Sequence, residues 1–181
     1  FICSNKIGPG HIHHLDYGKL IIGSYNVPDQ EILKQLVADF QLAGIHAELS
    51  PDLKFARWQK LVWNIPFNGM TVVLNTTTDR LMANEQTREL SKELMLEVIH
   101  GANACGVSLK ESLAQQMIDM TIKMKPYAPS MKLDYDHRRA MEIEYIYSKP
   151  IQTALDAGFV MTKVSMLEKQ LRFIQAHRLD K

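Results

Sequence analysis

The apolar pattern of this 181-residue chain changes period once, near Ser50, and that change limits it to a small α/β segment followed by helices. Before the change, short apolar runs lie between turn residues. Phe1-Ile2-Cys3 reads as a strand, Gly8-Pro9-Gly10 as a turn, and Lys19-Leu20-Ile21-Ile22-Gly23 as a second strand. From Asn26 to Gly44 the spacing is helical. Ile32, Leu33, Leu36, Val37 and Phe40 mark one face, Pro28 suits an early position and Gly44 a C-terminal cap. Ile45, Ala47 and Leu49 then alternate as a strand. A sheet this small buries too little to stand alone. Residues 1–49 therefore read as a fragment of an α/β domain, and the apolar run at Phe1 leads us to expect that the natural chain begins earlier.

From Ser50 to the end the reading is mainly α, one helical domain over 50–181. Ser50-Pro51 offers a cap hydroxyl and a first-turn proline, and the helix then runs through Trp58, Leu61, Val62 and Phe67 towards Leu74. Pro66 inside it removes the bond to the Val62 carbonyl, so a kink is expected there. A second helix spans about Glu85 to Cys105 and closes at Gly106. A third opens with Ser108 and Glu111 at capping-box spacing and carries Leu113, Met117, Met120 and Met124 on one side. Ser130 opens another that reaches about Tyr145. Pro150 to Ala157 is short and ends at Gly158, and Thr162 caps the last, with Val164, Leu167, Leu171 and Ile174 inward. The ten methionines read as core filling rather than as a promiscuous binding groove.

Charge and composition exclude several function classes. Twenty-one basic against twenty acidic residues give a net charge of +1, so no global field recruits nucleic acid or an anionic membrane. No apolar run reaches the ~18–20 residues of a membrane span. Cys3 and Cys105 form no CxxC pair, which favours a reducing, cytoplasmic setting over a disulfide framework. His11, His13 and His14 crowd together without a second cluster at ligand spacing, so no metal site is expected. Gly8-Pro9-Gly10 lacks the third glycine of a dinucleotide loop.

One stretch carries chemistry. Lys60, Asn64 and Asn68 lie four apart, on one helical face, among apolar Leu61, Val62, Trp63, Ile65 and Phe67. Buried without partners, a lysine and two carboxamides are costly, so the stripe makes sense as the lining of a cleft for a small polar ligand. A solvated face with Lys60 snorkelling fits the same spacing. A second stretch, Ser130 to Asp134 and then Glu142 to Ile146, is weaker evidence. A helical ion pair of Glu142 with Arg138 or Arg139 explains it without any function.

In their order and separation, three motifs resemble the ketopantoate reductases (2-dehydropantoate 2-reductases). They are Lys60-Leu-x-x-Asn64-x-x-x-Asn68, Pro129-Ser130-Met131-x-x-Asp134 and Glu142-Ile-Glu-Tyr-Ile146, followed by Pro150 and Ala154-x-x-x-Gly158. Upstream, Gly10-His-Ile-x-His14 and Gly18-Lys-Leu-Ile-Ile-Gly23 resemble the last strands of that family's nucleotide domain. The resemblance implies a Rossmann domain joined to an all-helical domain of the 6-phosphogluconate dehydrogenase C-terminal type, with substrate in the cleft between them. It implies NADPH-dependent reduction of ketopantoate, a small 2-keto acid. It also implies Lys60 as the catalytic residue and Asn64, Asn68, Ser130 and Glu142 as substrate-binding residues.

By the same resemblance the cofactor loop would precede Phe1, so this chain alone is expected neither to hold NADPH tightly nor to be active. Tyr127, three residues before Ser130, departs from the polar ligand expected there and points to a bulkier or more apolar substrate. A homodimer through the helical part is expected, since surface left bare by a missing domain should be covered. A related dehydrogenase of another 2-keto or hydroxy acid, or an inactive helical binding or oligomerisation module, remain the alternatives. The residue types suit the reduction: an ammonium beside a ketone oxygen stabilises the growing charge and donates a proton. Burial would lower a lysine pKa towards useful acid strength. Asparagine amides orient polar substrate groups, Ser130 suits a carboxylate and Glu142 a hydroxyl.

Overall fold

Turn residues and caps divide the chain as its periodicity suggests, with departures where the deciding contact is distant in sequence. The computed structural model describes residues 2–126 and 128–179. Phe1 and Tyr127, to which the sequence reading assigned roles, lie outside the described residues. The chain forms two compact units, 1–56 and 57–181. Within the first unit Leu53 packs on Gly23, its Cβ about 3.0 Å from where a glycine Cβ would stand.

In the first unit, β1 (Ile2–Gly8) and β2 (His11–Tyr17) form an antiparallel hairpin, with Ile2 opposite Tyr17 and Lys6 opposite Ile12. Its turn places Gly10 at φ 68°, where a side chain would be strained. Periodicity did not mark β2, but the strand takes in His11 to His14 of the motif that resembles a strand of the family's nucleotide domain. β3 (Leu20–Gly23) pairs in parallel with β4 (Ala47–Ser50), and α1 (Gln30–Leu42) makes the crossover. Helix α1 starts later than expected. Asp29 caps it by accepting from the Glu31 N–H at 2.9 Å, which leaves Pro28 outside the helix. It ends as the sequence suggests: Gly44 takes φ 77°, the Gly44 N–H bonds to Gln41 O and the Ile45 N–H to Phe40 O. Only Leu33 and Val37 of its apolar face are buried, and Ile32 and Leu36 stay exposed.

Among the described residues, no strand follows β4. α2 (Leu53–Val73) is capped by Asp52, whose Oδ1 accepts from the Phe55 N–H at 2.9 Å, so Ser50 is not the cap. α3 (Thr78–Ala83) is a short helix the periodicity did not reveal, and α4 (Glu85–Ala104) follows as expected. α5 (Ser112–Lys123) starts without the Ser108–Glu111 box. Asn103 instead holds the preceding loop, accepting from Leu109 N–H at 2.8 Å and donating to its carbonyl at 3.1 Å. α6 (Ser130–Asp136) stops well short of Tyr145 because Arg138 turns to φ 56°. A π-turn over Glu144–Ser148 leads into α7 (Lys149–Asp156), and α8 (Thr162–Leu179) closes the unit. The cap of α8 is not Thr162 but Glu97 of α4, whose carboxylate accepts from the N–H groups of Lys163 (3.0 Å) and Val164 (2.7 Å).

The core of this unit joins Val62, Ile65 and Phe67 of α2 to Met95, Val98 and Ile99 of α4, with Met131, Tyr147, Val164 and Leu171 from later elements. Met70, Met82, Met95, Met117, Met131, Met141 and Met161 are all buried, which fits core filling. No described helix is long and apolar enough to cross a membrane.

Candidate functional site

Helix α2 organises the candidate residues, and its polar stripe runs from solvent into the core. Lys60 is exposed, Asn64 half-buried and Asn68 only 2% exposed. The expected burial of Lys60 is therefore corrected: the apolar neighbours Val62, Trp63, Ile65 and Phe67 take the inward directions and leave its side chain outside. No carboxylate pairs with Lys60 among the described residues. Trp63 stacks at a tilt on Phe67, 4.8 Å between centroids, and donates its indole N–H to Thr121 Oγ1 at 2.9 Å. The indole hydrogen bond ties α2 to α5, while the ring contact lies within α2 itself.

The middle of α2 lacks its usual ladder. Pro66 has no N–H to give the Val62 carbonyl, yet the helix continues to Val73. One turn on, the fully buried Tyr147 hydroxyl donates to Ile65 O at 2.8 Å, and the phenol oxygen in turn accepts from the Gly69 N–H. The phenol thus stands between a carbonyl and an N–H four residues apart, where a helix normally bonds to itself. Insertion of this kind is a known cause of helix bending. Gly69 is what admits it, since a Cβ there would lie 2.7 Å from the Tyr147 oxygen and 2.6 Å from Leu167 Cδ2. Burial pushes the Tyr147 pKa well above the ordinary tyrosine value, while the Gly69 N–H pulls the other way.

Two further segments are tied to this stretch of α2. Asn68 Oδ1 accepts the Met131 N–H at 3.0 Å, which fixes the first turn of α6 and the adjacent Ser130. Tyr147 ties the π-turn that follows Glu142 to Ile65. Ser130 and Glu142 are both exposed. The helical ion pair that offered an alternative account of Glu142 does not form among the described residues, because the helix ends at Asp136 and Arg139 turns back to Asp134 at 2.8 Å. Lys132 pairs with Asp136 and lies over the Tyr135 ring. No hydrogen bond or ion pair links Lys60, Asn64, Ser130 and Glu142 to one another among the described residues. The structure therefore anchors their segments to one short stretch without joining their side chains.

The sequence reading missed Tyr147 and Gly69. The motif it used ended at Ile146 and took in Tyr145, which is 65% exposed, while the next tyrosine, two residues on, reaches the core. Glycine three residues after proline in an apolar helix was the available signal. The histidines of β2 remain exposed, and no group of three His, Cys, Asp or Glu able to hold a metal gathers among the described residues.

Comparison with known proteins adds ancestry to this geometry. Residues 52–175 match the family described as "Ketopantoate reductase PanE/ApbA C terminal". The chain is 48% identical over 179 residues to a 2-dehydropantoate 2-reductase of Nostoc sp., covering 96% of this chain and 56% of the relative. The crystal structure of 2-dehydropantoate 2-reductase from Geobacter metallireducens aligns with a TM-score of 0.92 at 38% identity, over 95% of this chain and 58% of that one. The enzyme of the same name from Methylococcus capsulatus aligns at 0.89 and 28%, over 98% and 57%. The chain thus spans a little over half the length of these relatives.

Proposed function

The chain belongs to the ketopantoate reductase family, and from that premise we propose that it is the substrate-side portion of an enzyme reducing 2-dehydropantoate (ketopantoate) to pantoate with NADPH. The observation that carries the reading is the common anchoring of the Ser130 and Glu142 segments on residues 65–69 of the helix that also bears Lys60 and Asn64. Residues sixty to eighty positions apart need such a shared reference if they are to meet one small molecule.

The roles follow from chemistry. Lys60 stabilises the charge that grows on the ketone oxygen and donates the proton that completes the alcohol. Its unpaired ammonium suits that task better than one already neutralised by a carboxylate. Asn64 orients a polar substrate group without adding charge, the Ser130 hydroxyl donates to the substrate carboxylate, and Glu142 accepts from the substrate hydroxyl. Asn68 belongs to the same substrate side.

A reduced nicotinamide, when bound, supplies hydride to the ketone carbon. The described residues of the first unit do not fit its phosphates: Gly8 to Gly10 close a hairpin between β1 and β2 instead of leading a strand into a helix N-terminus. What this chain contributes is therefore the substrate side. Self-association through the helical unit and a cytoplasmic setting belong to the same proposal. Exposed Leu74 and Met166, which flank a shallow apolar groove with Leu90, supply surface for such contact.

The test is NADPH oxidation by the full-length protein with ketopantoate, set beside a panel of other 2-keto acids. Preference for ketopantoate is the expected result. Turnover of another keto acid in its place would move the assignment to a sister dehydrogenase, and no turnover of any would overturn it.

A further inference from the structure

Asn68 differs from the rest of the stripe in being almost wholly buried and in having its oxygen already engaged. Resting on the proposed substrate side, we infer that Asn68 is a positioning residue, which acts on the keto acid through Ser130 by holding the first turn of α6. The first N–H groups of a helix have no partner within it. Pro129, at the cap position of α6, has no side-chain acceptor, and no side chain of α6 itself supplies a cap bond. Asn68 Oδ1 fills that place from a different helix, across 63 residues of sequence. Only the amide oxygen can accept from an N–H, so the orientation of this carboxamide is fixed by its partner.

Met131 is 1% exposed and anchors α6 in the core, while Ser130, one peptide bond away, faces out. A shift of the Met131 N–H therefore turns the Ser130 hydroxyl away from the direction it needs to meet a carboxylate. The Asn68 Nδ2 has no protein partner among the described residues, and it is the group a direct substrate contact would use. Variants that separate oxygen from nitrogen therefore decide between the two roles.

The experiment uses the full-length protein with N68A, N68D, S130A and the N68A/S130A double variant. Amide hydrogen exchange over residues 130–136 and the KM for the keto acid are measured in each. N68A is expected to speed exchange in α6 and raise KM about tenfold, the equivalent of one lost hydrogen bond. N68D keeps an acceptor oxygen and should retain the exchange protection, with KM within about threefold of the parent, since one hydrogen bond's worth is tenfold. S130A leaves exchange unchanged, and the double variant stays within about twofold of S130A in KM, because residues acting as one unit are not additive.

Multiplying KM effects in the double variant, or a KM loss in N68D with exchange protection intact, would overturn the inference. So would unchanged α6 exchange in N68A. If N68A does not fold, the N68D pair of measurements carries the same decision. If the parent protein reduces no 2-keto acid, the proposed function fails, and the exchange data still decide whether Asn68 holds α6.

Discussion

Replacing Gly69 with alanine should destabilise this protein, although alanine in a helix interior ordinarily gains about 1 kcal/mol over glycine. The sign is set by space. The added Cβ would lie 2.6 Å from Leu167 Cδ2, 2.8 Å from Leu167 Cγ and 2.7 Å from the Tyr147 hydroxyl. Leu167 is 5% exposed and Tyr147 fully buried, so neither can swing into solvent. Overpacking of this kind costs about 1–3 kcal/mol. Displacing the phenol from Ile65 O costs about 1 kcal/mol more. Set against the propensity gain, the net loss is about 1–3 kcal/mol. For a chain of this size a loss of 2 kcal/mol lowers Tm by about 4–8 °C. Thermal and urea melts followed by circular dichroism measure it. Tyr147→Phe removes the hydroxyl that the new methyl would strike, so the two changes should couple by about 0.5 kcal/mol or more in a double-mutant cycle. A Gly69→Ala variant as stable as its parent, or effects of the two changes that simply add, would show that the phenol is not wedged into α2.

Three other outcomes follow. In the full-length protein, Lys60→Ala should lower kcat about 10²–10⁴-fold, as loss of a general acid does, whereas Glu142→Ala should mainly raise KM; steady-state kinetics separate them, and near-normal kcat for the lysine variant refutes its role. Glu97→Ala should cost about 1–2 kcal/mol by uncapping α8, against less than about 0.5 kcal/mol for Thr162→Ala, and equal losses in urea melts would restore Thr162 as the cap. The raised Tyr147 pKa keeps its proton in the folded state after the unfolded chain has released it near pH ~10. Above that pH the unfolded state binds fewer protons and stability falls, while below it Tyr147 contributes no pH dependence. Ultraviolet titration should show one tyrosine that ionises only on unfolding, and ionisation of all six in the folded protein would contradict this.

What could be read from the sequence was local. Gly44 and Gly106 end α1 and α4 because a left-handed residue is demanded within a turn of the last helical position, and glycine announces it. Lys60, Asn64 and Asn68 share a face for an equally local reason, the four-residue repeat. Strand β2 was legible only through the family resemblance and not through periodicity, because His-Ile-His-His-Leu-Asp-Tyr carries little of the β-branched alternation that marks a buried strand, and its described side chains are largely exposed. α6 was drawn too long because nothing near Arg138 signals its left-handed backbone; the reversal lets Arg139 reach Asp134.

The site shows the same division more sharply. Asn68 satisfies a helix start sixty-three residues away and Tyr147 a carbonyl eighty-two away, and Glu97 caps α8 across sixty-six. Sequence spacing says where a helix lacks a partner: Pro66 and Gly69 mark a weakened ladder, and Pro129 marks an uncapped start. It does not say which side chain arrives to supply one, because that is decided by packing of elements far apart in the chain. Polar side chains brought in this way satisfy buried backbone groups and, by the same bonds, set the positions of the exposed residues beside them. The residues proposed for the substrate side would take their geometry from such bonds, so a variant of Tyr147 or Asn68 should alter chemistry at groups it never touches.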